Sequence, residues 1–84
     1  MKVMLELTNK TGVVIKGNRT LTKNISNAKV IPRAEEWVEL AEGWASANVD
    51  TVVYRHDLGD VVVRLSCYMS TEEWSELKKK HGWK

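Results

Sequence analysis

One cysteine, Cys67, in a chain of 84 residues allows no internal disulfide, so the fold has to rest on packing alone. A chain of this length holds one core. Size scaling gives it a folded surface of roughly 5,000 Å², with about 63% of the unfolded surface buried, which is a thin core. With 43% hydrophobic and 29% charged residues, one Pro and five Gly, the composition fits a soluble globule and excludes collagen-like and disordered classes. No apolar run approaches the roughly 20 residues of a membrane span. The N-terminal stretch meets Glu6 before a signal-peptide hydrophobic region could form, so a cytoplasmic protein without a membrane partner is expected. The glycosylation-type triplets beginning at Asn9, Asn18 and Asn24 then read as turn and strand chemistry.

Val3, Leu5 and Leu7 alternate with Lys2, Met4, Glu6 and Thr8, the period of a strand with one buried face. Turn residues Asn9 to Gly12 lead into the β-branched run Val13 to Lys16, expected as a returning second strand. Gly17-Asn18 is a hairpin signal, and Arg19 to Ile25 alternates as a candidate third strand. Pro32 suits the first turn of a helix. From Arg33 to Ser46, Trp37, Leu40, Ala41 and Trp44 fall at helical spacing, although Gly43 interrupts the pattern. Val49 to His56 and Asp60 to Met69 flank the turn Asp57-Leu58-Gly59 as a second hairpin. Ser70 and Glu73 form a capping box, which predicts a helix from Thr71 to about His81 with Gly82 as its stop. The expected fold is α+β, with the order β-β-(β)-α-β-β-α and an antiparallel sheet of four to five strands carrying two helices on one face.

Charge is segregated along the chain. Residues 1–33 hold seven cations against Glu6 alone, residues 34–60 hold seven anions against Arg55 alone, and the whole sums to +2. The basic third is either a footprint for an acidic surface or phosphates, or the complement of the acidic third within the fold. Lys78, Lys79 and Lys80 with Trp83 make a second basic patch, which also suits the negative end of a helix dipole.

Four tryptophans and no phenylalanine anchor the two expected helices. Trp37 and Trp74 read as core; Trp44 and Trp83 read as exposed anchors of the kind enriched at interfaces. Arg55, His56, Asp57 and Asp60 form the densest polar cluster, but they sit at a turn where Asp and Gly serve the backbone. Cys67 reads as a small buried hydrophobe. His56, Cys67 and His81 lack the close spacing of zinc ligands, and the five glycines are too dispersed to cradle a phosphate. No cofactor, metal or catalytic residue is therefore expected. Val61 to Ser66 leading into Thr71 to Lys79 resembles the strand and first helix of ribbon-helix-helix repressors, which read DNA with a paired strand. That family adds a second helix, which has no counterpart in these residues, and no DNA-reading residue is carried over.

The expectation is a small non-enzymatic binding or regulatory protein, of the kind phages and mobile elements use as accessory or inhibitor proteins, acting on a protein partner. Its candidate contact residues are Lys16, Arg19, Lys23, Lys29, Trp44 and Trp83. Nucleic-acid binding through Arg19, Lys23, Lys78, Lys79, Lys80 and Trp83 is the alternative, and a homodimer formed through a sheet edge is open.

Overall fold

The computed structural model describes residues 2–12, 17–26, 29–41, 43 and 45–84. Five strands and one helix follow in the order β1 (Lys2–Asn9), β2 (Thr20–Ile25), β3 (Trp37–Ala41), β4 (Ala45–Arg55), β5 (Asp60–Cys67) and α1 (Thr71–Lys80). They form one sheet in the order β2-β1-β5-β4-β3. The α+β class stands, but two expectations are corrected. The sheet is mixed, because β1 and β5 pair in parallel at its centre, and a single helix covers it.

The helix expected over Arg33 to Ser46 is strand β3 and the start of β4. The same residues carry both periods. Leu40 is buried and Val38 half-buried while Trp37 and Glu39 are exposed; past the turn, Ala45, Ala47 and Val49 are buried around exposed Ser46. Gly43 has φ of 82°, left-handed backbone that a helix interior does not admit. The outer edge of β4 supplies the hydrogen bonds that a helix would have had to make internally. The expected second strand over Val13 to Lys16 lies outside the described residues, and the candidate third strand is β2.

Because paired residues share a face, the register places Leu21, Leu7, Leu65 and Val49 on one side of the sheet, with Leu5, Val63 and Val52 in the next row. This side is the core. Trp74 and Leu77 of α1, Met69 and Trp83 close over it. The capping box is formed as read, Ser70 Oγ accepting from the Glu73 N–H and the Glu73 carboxylate from the Ser70 N–H. Among the described residues no helix lies over the other side. It carries cross-strand polar pairs, Thr8 with Thr20 at 3.2 Å, Arg64 with Glu6 at 3.6 Å and Ser66 with Asp50 at 2.9 Å. Accordingly the surface, 5817 Å², exceeds the roughly 5,000 Å² of a compact chain this size.

Between the end of β1 and the start of α1 stands Asn9, 1% exposed and the one buried polar side chain among the described residues. Its Nδ2 donates to the Met69 carbonyl at 3.1 Å, and its Oδ1 accepts from the N–H groups of Met69 at 3.0 Å and Thr11 at 3.2 Å. The carboxamide thus pairs with the Met69 backbone as a peptide group would. We predict that Asn9→Ala lowers unfolding free energy by roughly 2–4 kcal/mol, because Met69 is left with a buried, unpaired N–H and C=O; denaturant titration checks this.

Trp83 is 2% exposed, which corrects its reading as an exposed anchor, while Trp37, read as core, is 71% exposed. The Trp83 indole N–H has no partner among the described residues. Trp83→Phe should therefore cost under about 1.5 kcal/mol, since it removes an unpaired donor along with the lost ring, whereas Trp83→Ala should cost about 3–5 kcal/mol. Thermal melts of the two variants separate these outcomes.

Candidate functional site: the outer edge of the fourth strand

The expected contact residues do not converge on one surface. Lys23 lies on the core side of β2, opposite Leu5, where its Nζ donates to the His81 carbonyl at 3.0 Å and sits 5.9 Å from the centre of the Trp83 ring. Arg19 donates to the carbonyls of Thr11 at 2.8 Å and Asn9 at 3.4 Å. Both cations hold loops of their own chain. Lys10 pairs with Asp50 at 3.6 Å. Lys16 and Trp44 lie outside the described residues. Lys78 and Lys79 are exposed on α1, and Lys80 reaches Glu76 at 3.5 Å. The nucleic-acid set therefore loses its stacking aromatic, buried Trp83, and three of its cations, Arg19, Lys23 and Lys80, are engaged. Lys29 remains exposed, with no ion pair to a described residue.

The polar cluster at the β4–β5 turn closes on itself. Arg55 donates to Asp60 through Nε at 2.7 Å and Nη2 at 2.5 Å, and this pairing holds the Asp60 carboxyl below the usual carboxylate range. His56 and Asp57 are exposed in the turn. Among the described residues no group of three metal-ligating side chains comes together. β5, the strand that resembles a DNA-reading ribbon, is paired on both sides, so it has no edge for the second copy that family requires.

What stands open is the β3/β4 side of the sheet. β3 pairs with β4 only from Ala45 to Asn48, and Val49 then bonds to the turn before β3, its carbonyl accepting from the Glu35 N–H and its N–H donating to the Glu36 carbonyl, both at 2.8 Å. Glu35 holds a left-handed φ of 74° there, a strained conformation for a residue with a side chain. Asn48 Nδ2 fixes it further by donating to the Glu35 carbonyl at 3.1 Å. Since Val49 points its backbone groups away from β5, and the register shift between Val49 and Thr51 inserts one residue, the antiparallel alternation sends those of Val52 and Tyr54 the same way. No described residue takes them.

Alongside runs the segment Ile31 to Ala34, and between it and Val52 and Tyr54 lies a groove of about 340 Å³. Pro32 has no N–H with which to close it. Ile31 and Val52 pack on the core at its floor, Tyr54 is 68% exposed, and Val30 just upstream is 80% exposed. Arg33 is exposed on the groove wall, while the Glu36 carboxylate is turned back to the Arg33 backbone N–H. Trp37, Tyr54, Val30 and Arg33 were not among the expected contacts. Trp37 was legible in part, since in period two it falls on the face opposite Val38 and Leu40.

No family model, no curated protein and no solved structure matches the chain.

Cys67 is buried, with burial and then the Glu73 carboxylate pushing its thiol up to about 11 from 9.0. Folding thus favours the neutral thiol, so this contribution to stability is complete below about pH 9 and is lost as pH rises through about 11. The melting temperature should fall more steeply between those pH values in the wild type than in Cys67→Ala, which a series of melts would show.

Proposed function

We propose that this chain is a small non-enzymatic binding protein that acts through a macromolecular partner, a protein, docked on the β3/β4 side of the sheet. The observation that carries the reading is that, of the exposed large apolar side chains, which also include Leu58 and Tyr68, Trp37 and Tyr54 stand on β3 and β4 and Val30 just upstream of the groove beside them. Singly exposed apolar residues need no explanation, but two exposed aromatics on the β3–β4 pair, Trp37 on the face opposite the core and Tyr54 on the core side, are residues of the type enriched in interface anchors. The contact surface moves from the basic N-terminal region, whose cations Lys23 and Arg19 bond to the chain's own carbonyls, to a side where Lys29 and Arg33 are exposed.

Self-association through β3 is disfavoured by its sequence. Two such strands paired antiparallel about Glu39 would set one carboxylate opposite the other, and the register shift next to Glu39 interrupts the edge.

Affinity capture from cell lysate, run with nuclease and compared across variants, tests the proposal. Trp37→Ser with Tyr54→Ser should lose partners that Lys78→Glu with Lys79→Glu retains, both variants melting cooperatively. The same partners captured by all proteins would overturn the surface assignment. Nuclease-sensitive capture, together with oligonucleotide binding lost between about 50 and 200 mM salt, would replace the protein partner with nucleic acid.

A further inference from the structure

Resting on that reading, we infer that the partner contributes an extended segment of alternating basic and apolar residues, which adds antiparallel to the outer edge of β3 at Trp37–Glu39. Backbone direction comes first. The Glu36 carbonyl accepts from the Val49 N–H of β4, and since the carbonyl and N–H of a trans peptide point opposite ways, the Trp37 N–H points away from β4. The alternation of an antiparallel pair then turns the backbone groups of Val38 inward to Ala47 and those of Trp37 and Glu39 outward. No described residue bonds to these outward groups, and β3 is the last strand of the sheet. The register shift lies beyond Glu39, between it and Ala41, so a segment pairing with three residues meets regular strand, as in other strand-addition complexes.

The faces set which side chains the segment carries. Paired residues share a face, so those opposite Trp37 and Glu39 stand with them on the face away from α1. The residue between stands on the core side next to Val38, which packs half-buried against the core. An apolar side chain fits that middle place. On the other face Trp37, 71% exposed, offers its ring to a guanidinium. The Glu39 carboxylate, bonded among the described residues to the Gly43 N–H alone at 3.4 Å, is an acceptor for a second cation, and an open recess of about 280 Å³ lined by Glu39, Gly43, Ala45 and Ser46 leaves room for the head group beside it.

Charge sets the sign. From Ala34 to Tyr54 the sequence holds five carboxylates and no cation. Glu35, Glu36 and Glu39 are exposed and make no ion pair with a described residue, and the bonds that Glu36 and Glu39 accept come from uncharged backbone N–H groups. The β4 residues paired with Trp37 and Glu39, Asn48 and Ser46, are neutral. Arg33, the nearest cation in sequence, lines the groove beside Val52 and Tyr54 instead, and the next, Arg55, is held by Asp60. Arginine or lysine on an added strand meets uncompensated carboxylates here, whereas acidic side chains and phosphates meet like charge.

The probe is a fluorescein-labelled octapeptide of alternating arginine and valine, titrated with the full chain at about 150 mM salt so that loose ionic contacts are screened, and read by anisotropy, with amide hydrogen exchange followed by NMR. Saturable binding is expected. It should be at least ten-fold weaker for the valine–glutamate analogue and for a peptide N-methylated at its arginines, whose N–H groups face Trp37 and Glu39, and should be kept by one N-methylated at its valines. Saturation should slow exchange of the Trp37 and Glu39 amides at least ten-fold. Glu39→Lys, on an exposed side chain, should weaken the arginine peptide about ten-fold and strengthen the glutamate one while melting as the wild type does. No saturable binding up to about 1 mM, equal affinity for the two methylated peptides, or binding that leaves Trp37 and Glu39 unprotected overturns the strand-addition inference. If partner capture still depends on Trp37 and Tyr54 in that event, the binding-protein reading survives; if capture is also indifferent to them, both fail.

Discussion

The carboxamide of Asn9 stands where a neighbouring strand's peptide group would stand, donating to and accepting from Met69 across the gap between β1 and the lead-in to α1. The Asn9 backbone completes the junction, its N–H donating to the Arg19 carbonyl at 2.8 Å just before β2. One residue therefore ties three parts of the chain: β1, the edge strand β2 beside it, and the approach of the helix that covers them. A side chain with both a donor and an acceptor in one plane is required, which leaves Asn or Gln, and the shorter of the two fits between closely spaced backbones. Were that junction to loosen, Trp74 and Leu77 would lose the angle at which they meet the sheet.

Covering one face with a single helix leaves the other to be stabilised by its own side chains. Met4 and Val62 make an apolar strip there, bordered by the Arg64–Glu6 pair on one side and the Arg55–Asp60 pair on the other. Exposed pairs of this kind add little stability, but they neutralise the face. This is the physical reason that a basic third and an acidic third of the sequence do not become a basic and an acidic surface. The strands alternate, the sheet interleaves early and late segments, and the Lys23 ammonium group lies 5.9 Å from the centre of the Trp83 ring while it donates to the His81 carbonyl.

Local chemistry was legible wherever one period or one cap dominated. The alternation of Val3, Leu5 and Leu7, the run Val61 to Val63, the Asp57-Leu58-Gly59 turn and the Ser70–Glu73 box each had one reading, and each has it in the structure. Trp37 to Ser46 had two, because Leu40 belongs to a helical stripe with Trp37 and Trp44 and to an alternating one with Val38. The decision between them lies in the pairing with β4, between residues four to eleven positions apart, which neither period announces. The parallel β1–β5 pair was hidden by distance: hairpin signals announce antiparallel neighbours, and nothing in either strand names a partner 58 positions along the chain. The groove beside β4 depends on a strained Glu35 and on where β3 stops, neither of which has a residue signature. Pro32 was its one visible mark, and it reads equally well as the start of a helix.

The central pairing has a consequence for how the molecule comes into being. β1 is synthesised first and needs β5, whose register joins Lys2 to Asp60 and Asn9 to Cys67, and the Lys84 backbone bonds back to Thr22 at the sheet's other edge. A nascent chain emerging from the ribosome can form the β1–β2 pair but has nothing to bury its apolar face against until the last third has been made. Closing loops of that length before any core exists makes folding slow for so small a protein. During that interval the strip Val3, Leu5 and Leu7 is exposed to whatever else is in the cell.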